Sequence, residues 1–193
     1  MNKIYITSDL HLGHDKDFVV AERGFTTVFE HDAAIKNNWN GLIDEEDEVY
    51  LLGDVMLGDV ENGLNILSSL KGKIHIIRGN HDIDEKIKRY REGSNVVEVI
   101  DAKFMRYGTI TLYLSHFPTL VSREKLKKMK NAVVNLYGHT HQKNNFYTLN
   151  DEAHPYMYHV GLDSHNMLPV LLDDVIEEVR HEKNNYDGLH KDE

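Results

Sequence analysis

The chain has no cysteine. Disulfides and thiolate metal sites are thereby excluded, and any metal must be held by His, Asp, Glu or Asn. No apolar run is long enough to span a bilayer. Met1-Asn2-Lys3 leads straight into a predicted strand rather than into the apolar stretch of a secretory leader, so a cytoplasmic protein with no membrane partner is expected. Basic residues are in deficit: 22 Lys and Arg stand against 32 Asp and Glu, a formal net charge of −10. That balance argues against a broad surface for duplex nucleic acid. It leaves room for an anionic substrate, because bound divalent ions can dominate a local field. Histidine, by contrast, is abundant, with 13 in 193 residues. A chain of this length is most simply one domain, expected over residues 1–183 with a polar, flexible tail over 184–193. No feature of the sequence specifies an oligomeric state.

One stretch sets a pattern for the rest. Ile74-His75-Ile76-Ile77 is a short apolar run, the mark of a buried strand. It breaks at Gly79, a residue free to take a tight left-handed turn, and Asn80, His81 and Asp82 follow at once. The pattern of apolar strand, then small residue, then metal-type side chains recurs. Lys3–Thr7 empties into Asp9-Leu10-His11-Leu12-Gly13-His14. Glu48–Leu52 ends in Gly53-Asp54, Thr109–Leu114 in Ser115-His116, and Val133–Tyr137 in Gly138-His139-Thr140-His141.

Between these strands the spacing predicts helices. Ile35, Trp39 and Leu42 share one face of a helix from about His31 to Leu42, and Asp59 is a good N-cap for a helix burying Val60, Leu64 and Leu67. The first part therefore runs β-α-β-α-β, which favours a parallel sheet with right-handed crossovers. A surface helix is expected over Ile83–Glu92 and a basic one over Arg123–Lys130. Strands follow at Val96–Ile100, Lys103–Tyr107, Phe146–Leu149 and Tyr156–Val160. A final helix begins near Asp173, with Val175, Ile176 and Val179 inward.

Active sites of open α/β sheets lie at the carboxyl ends of strands. Collected there are Asp9, His11, Asp54, Asn80, His81, His116, His139 and His141. Carboxylate, imidazole and amide oxygen suit Mn²⁺, Fe, Zn²⁺ or a similar ion, and the set is too large for one tetrahedral site. It suits two ions sharing a carboxylate. Singly, each of these residues is an ordinary turn former, cap or surface histidine; the joint pattern carries the signal. His31, His75, His154, His159, His165, His181 and His190 are expected to be solvated or structural.

In order, these residues form Asp-x-His, Gly-Asp, Gly-Asn-His-Asp, a lone His after a strand, and Gly-His-x-His. The series resembles the motif set of calcineurin-like metallophosphoesterases over residues 9–141. The resemblance implies an α/β fold of two packed mixed β-sheets flanked by helices, a four-layer α/β/β/α sandwich. It implies one ion on Asp9, His11, Asp54 and His141 and a second on Asp54, Asn80, His116 and His139, with Asp54 as the bridge. Manganese is the expected metal, with iron, zinc, nickel or cobalt as alternatives. It further implies a phosphohydrolase that cleaves a small phosphomonoester or phosphodiester with a metal-bridging hydroxide.

In that scheme His81 is general acid or phosphate donor, Asp82 accepts the other His81 ring proton, and Asn80 and His81 contact substrate. Outside the motifs, His14 is a candidate substrate contact beside the Asp9 loop, and Arg78 is either a phosphate contact or a surface residue pairing with Asp or Glu. Two alternatives stand beside it: a nuclease or nucleic-acid end-processing phosphatase using the Arg123–Lys130 edge, and a non-catalytic protein-binding scaffold on the same fold.

Overall fold

Alternating burial along three adjacent strands builds two cores at once. The computed structural model describes residues 2–119, 133–149 and 152–189. Strands β1 (Ile4–Thr7), β2 (Glu48–Leu51), β3 (Lys73–Ile77) and β4 (Val96–Ile100) are parallel neighbours. Between them the chain passes through α1 (Asp17–Val20), α2 (Val28–Leu42), α3 (Val60–Leu67) and α4 (Asp84–Tyr90). Successive strand residues point to opposite faces. Tyr5, Val49, Leu51, Ile74 and Ile76 therefore pack under the helices against Ile35, Trp39, Leu67, Ile87 and Tyr90. Ile6, Tyr50, Leu52 and Ile77 face the other way, into a second core.

The second sheet closes that core. Its strands are β5 (Lys103–Tyr107), β6 (Ile110–Leu114), β7 (Val133–Tyr137), β8 (Phe146–Leu149) and β9 (Glu152–His159), in the order β5-β6-β7-β9-β8. Leu112, Leu114, Val134, Leu136 and Tyr158 meet the first sheet, and Leu172, Val175, Ile176 and Val179 of α5 (Leu172–Leu189) join the same core. The last strand, β10 (Val170–Leu171), pairs antiparallel with β1 at the edge. The result is two mixed five-stranded sheets flanked by helices. No helix among the described residues is long and apolar enough to cross a membrane.

Several boundaries differ from the sequence expectation, each for a local reason. Helix α2 starts three residues before His31, because Thr27 and Glu30 form a capping box: Thr27 Oγ1 accepts from the Glu30 amide, and the Glu30 carboxylate accepts from the Thr27 amide. Strand β9 begins before Tyr156 because Glu152 and Ala153 pair antiparallel with Leu149 and Thr148 of β8. Helix α5 runs on past Asn184 to Leu189, since no Gly or Pro interrupts it before Gly188. The two-residue β10 and the four-residue α1 are too short to leave a period in the sequence. The predicted helix at Arg123–Lys130 and the last four residues lie outside the described residues.

Candidate metal centre

Three neighbouring parallel strands of one sheet and two of the other end at a common edge. Asp9 and His11 follow β1, Asp54 follows β2, Asn80 and His81 follow β3, His116 follows β6, and His139 and His141 follow β7. Backbone hydrogen bonds stitch these loops together: Asp9 N to Gly53 O, 3.0 Å, His11 N to Asp54 O, 3.0 Å, and Gly138 N to His116 O, 3.0 Å. Two further bonds cross between the sheets, from His139 N to Asp9 Oδ2, 3.0 Å, and from His116 Nδ1 to Leu52 O, 2.8 Å.

The backbone is bent hard at the candidate ligands. Asp9, His11, Asp54, His139 and His141 have φ of 59°, 50°, 53°, 68° and 49°; among the other described non-glycine residues only Asn166 and Met167 are left-handed. Such conformations cost on the order of 1–3 kcal/mol each and persist where surrounding structure over-determines them. Gly79 does not use its freedom to turn left-handed, since it is not among the positive-φ glycines. It is needed for close approach: a Cβ there would overlap Asp54 Oδ1, and one at Gly138 would overlap Ser8 Oγ and Asp9 Oδ2.

The predicted ligands fall into two clusters. In one, ligand atoms of Asp9, His11 and His141 lie within 4.8 Å of one another; in the other, those of Asp54, His116 and His139 do. His11 Nε2 is 3.2 Å from His141 Nε2 and 3.7 Å from Asp9 Oδ1. His116 Nε2 is 2.9 Å from Asn80 Oδ1 and 3.5 Å from Asp54 Oδ2. Asp54 Oδ2 also lies 3.8 Å from His11 Nε2, so one oxygen faces both clusters.

The donor set fits cations. Asp9 Oδ2 accepts from Ser8 Oγ and His139 N, while Asp9 Oδ1 is buried with no hydrogen-bond partner. Asp54 is arranged likewise: Oδ1 accepts from His81 N, 2.9 Å, and Oδ2 faces the clusters. The bond from His116 Nδ1 to Leu52 O makes Nδ1 the protonated nitrogen. The Nε2 lone pair then meets the Asn80 carbonyl oxygen, an acceptor against an acceptor that a cation between them would resolve. Charge follows the same logic. Burial acts to raise the Asp9 pKa, but the neighbouring imidazoles of His11, His116 and His141 hold it well below the usual carboxylate range. Burial pushes the His11 and His139 imidazoles down, toward the neutral form that metals require. The Asp163 carboxylate holds His141 above its ordinary value.

The remaining predicted residues divide. His81 stands at the rim, its side chain 41% exposed and Nε2 3.9 Å from Asp54 Oδ2. His14 is buried with its ring centroid 5.8 Å from that of His11, and its Nδ1 accepts from Lys16 N. Arg78 pairs with Asp84 at 2.9 Å and lines a groove of 530 Å³ together with Asn80, His116 and Phe117. Asp82 departs from expectation. Instead of orienting the His81 ring, its fully buried carboxylate accepts from Asp54 N, Val55 N, Gly79 N and Tyr90 Oη at 2.8–3.2 Å. Its place directly after His81 turns it inward, where four donors saturate it. No hydrogen bond reaches the His81 ring among the described residues.

Sequence reasoning passed over Arg23 and Asp163. Asp163 Oδ2 accepts from His141 Nδ1 at 2.8 Å and from Arg23 Nη2 at 2.9 Å, and Arg23 Nη2 also reaches Asp9 O at 2.7 Å. A signal existed for Asp163: it follows β9 and Gly161, repeating the strand, small residue, polar residue pattern. Arg23 left none.

A family model described as the calcineurin-like phosphoesterase superfamily domain matches residues 2–153. The Gene 66 protein of Mycobacterium phage D29 is 31% identical over 193 residues, covering 88% of this chain and 93% of the phage protein. An uncharacterized protein of Methanocaldococcus jannaschii is 36% identical over 107 residues, 54% of this chain and 57% of that protein, so the shared stretch is little more than half of either. The protein of unknown function AQ665 from Aquifex aeolicus superposes with a TM-score of 0.66 at 20% identity, covering 92% of this chain and 99% of that one. At that identity the likeness is one of fold.

Proposed function

The chain belongs to the calcineurin-like phosphoesterase superfamily, and on that premise we propose that it is a two-metal phosphohydrolase acting on a small phosphomonoester or phosphodiester. The observation that carries this reading is Asp54 Oδ2, a single oxygen facing donors of both clusters. Asp9, His11, Asp54 and His141 would hold one divalent ion, and Asp54, Asn80, His116 and His139 the other, with manganese first among the candidates. Such a pair of ions activates water near neutral pH and neutralises phosphoryl charge.

The chain's own residues supply positioning and proton transfer. Asn80 and His81 adjoin the place where a phosphoryl oxygen would sit, and the exposed His81 imidazole is the group able to give a proton to the leaving oxygen. Arg78, in the groove beside Asn80 and His116, meets the part of the substrate beyond the phosphate. His14 supports the His11 side of the centre from within.

Chelator-stripped protein should regain turnover when Mn²⁺, Ni²⁺, Co²⁺ or Mg²⁺ is restored, assayed on phosphomonoesters, linear diesters, cyclic nucleotides, dinucleoside polyphosphates and an oligonucleotide. Turnover confined to the oligonucleotide replaces the small-molecule reading with nucleic-acid processing. Inertness toward every phosphoester with every metal overturns the enzymatic reading. For the bridge, Asp54→Asn should weaken both ions together and His116→Ala chiefly one; two ions retained by Asp54→Asn at wild-type affinity refute it.

A further inference from the structure

We propose that the Arg23–Asp163 ion pair is the positioning element of one metal subsite only, that of Asp9, His11 and His141; the inference rests on the two-metal reading above. Asp163 lies beyond residue 153, where the family match ends.

Both partners are inside the protein, with Arg23 1% and Asp163 5% exposed at the side chain. The contact is a fork: Arg23 Nε meets Asp163 Oδ1 at 3.1 Å and Nη2 meets Oδ2 at 2.9 Å. A planar guanidinium bound to a carboxylate in this way fixes orientation as well as distance. Asp163 Oδ2 then accepts the hydrogen bond from His141 Nδ1–H, which leaves Nε2 as the lone-pair nitrogen and aims it at His11 Nε2 and Asp9 Oδ1. A carboxylate behind a ligating imidazole is a recurrent way to set its tautomer and rotation.

Arg23 acts on the same subsite by a second route. Nη2 donates to Asp9 O and Nη1 to Leu10 O, bracing the left-handed turn that presents Asp9. Behind it, Nη1 meets His31 Nε2 at 2.9 Å, and His31 Nδ1 meets Asp32 Oδ1 at 2.9 Å, so the guanidinium cannot swing away. The other subsite has supports of its own, Leu52 O on His116 and Asp82 on the amides of Asp54 and Gly79, and meets the first through the His139 amide on Asp9 Oδ2. Neither Arg23 nor Asp163 touches His116, Asn80 or His139 among the described hydrogen bonds. A buried ion pair committed to one half of a shared centre predicts unequal damage when it is broken.

The experiment is Mn²⁺ titration of the stripped full-length protein by equilibrium dialysis, with the electron paramagnetic resonance spectrum recorded for the coupled pair. Asp163→Asn keeps shape while removing the charge, and Arg23→Lys keeps charge while removing the fork. Each should weaken one ion by about 10–100-fold and leave the other at wild-type affinity, so that an uncoupled Mn²⁺ signal appears where the wild type shows a coupled one. Ser164→Ala, which breaks a contact of the same turn to His159 instead, should keep both ions. Two ions retained at full affinity in Asp163→Asn overturn the inference, as do equal losses at both subsites or the same loss in Ser164→Ala. A wild-type protein that binds one ion refutes the two-metal reading separately. Asp163→Asn still decides this inference in that case: a weakened ion supports it and an unchanged one overturns it.

Discussion

Four buried or half-buried aspartates meet at this centre, and their chemistry differs because their donors differ. Asp9 and Asp54 each spend one oxygen on amides or a hydroxyl and leave the other facing imidazoles. Asp82 spends both oxygens on neighbours and has nothing to offer a ligand. Asp163 stands behind a histidine. His81 stands at the rim with its side chain 41% exposed and, among the described residues, no hydrogen bond to its ring, which leaves that ring able to meet a substrate. A general acid matters most where the leaving group is a poor one, contributing about 10²–10⁴-fold. His81→Ala should therefore keep its metal complement and lose far more rate on an alkyl or nucleoside ester than on a nitrophenyl ester. Equal losses on both, in steady-state assays at saturating metal, assign His81 to the phosphoryl group rather than the leaving group.

At the scale of elements, each strand does the same job: it carries an apolar run into the core and releases a short polar loop at one edge. The loops are held to one another more than to their own strands. Asp82 is the clearest case, since its carboxylate ties the loop after β2 to the loop after β3 and to Tyr90 of α4. A buried amide left without an acceptor costs about 1–3 kcal/mol. Asp82→Asn places an NH₂ against these donors. It should lower stability by about 3 kcal/mol or more in urea unfolding of the metal-free protein, and the α4 end of the site should loosen with it. Unchanged stability together with a reduced rate would restore Asp82 to the role of orienting His81.

At the scale of the molecule, two sheets share a core and present one edge of each to the centre, so the site is as rigid as the packing between them. That packing includes histidines that the fold keeps uncharged. Burial pushes His159 down to about 4 from 6.5, and burial moves His165 in the same direction. As pH falls below 6.5 the unfolded chain takes up a proton that folded His159 refuses. The stability His159 supports is thus complete above pH 6.5 and is lost progressively down to about pH 4, a loss on the order of 3 kcal/mol. Chemical denaturation in chelator across that window should show the decline, and His159→Gln should flatten it; a variant with the wild-type slope would place the acid sensitivity elsewhere.

Much of this was legible in the linear chain. Strand and helix periods, the Asp59 cap and the strand, small residue, polar residue pattern are written in neighbouring residues, because backbone conformation and one-sided burial repeat over a few positions. The same reasoning picked out the six residues that the fold gathers into two clusters. What the chain alone left open depends on distance through space. Arg23 and Asp163 are 140 positions apart, and no local pattern records that the carboxylate of one accepts from the guanidinium of the other. The left-handed backbone at the ligands, the need for Gly79 to admit Asp54, and the inward turn of Asp82 follow from how loops of two sheets crowd one edge. Sequence determined which side chains arrive at that edge. Only the tertiary structure decided which carboxylates keep a free oxygen there, because that depends on which donors of distant segments reach them first.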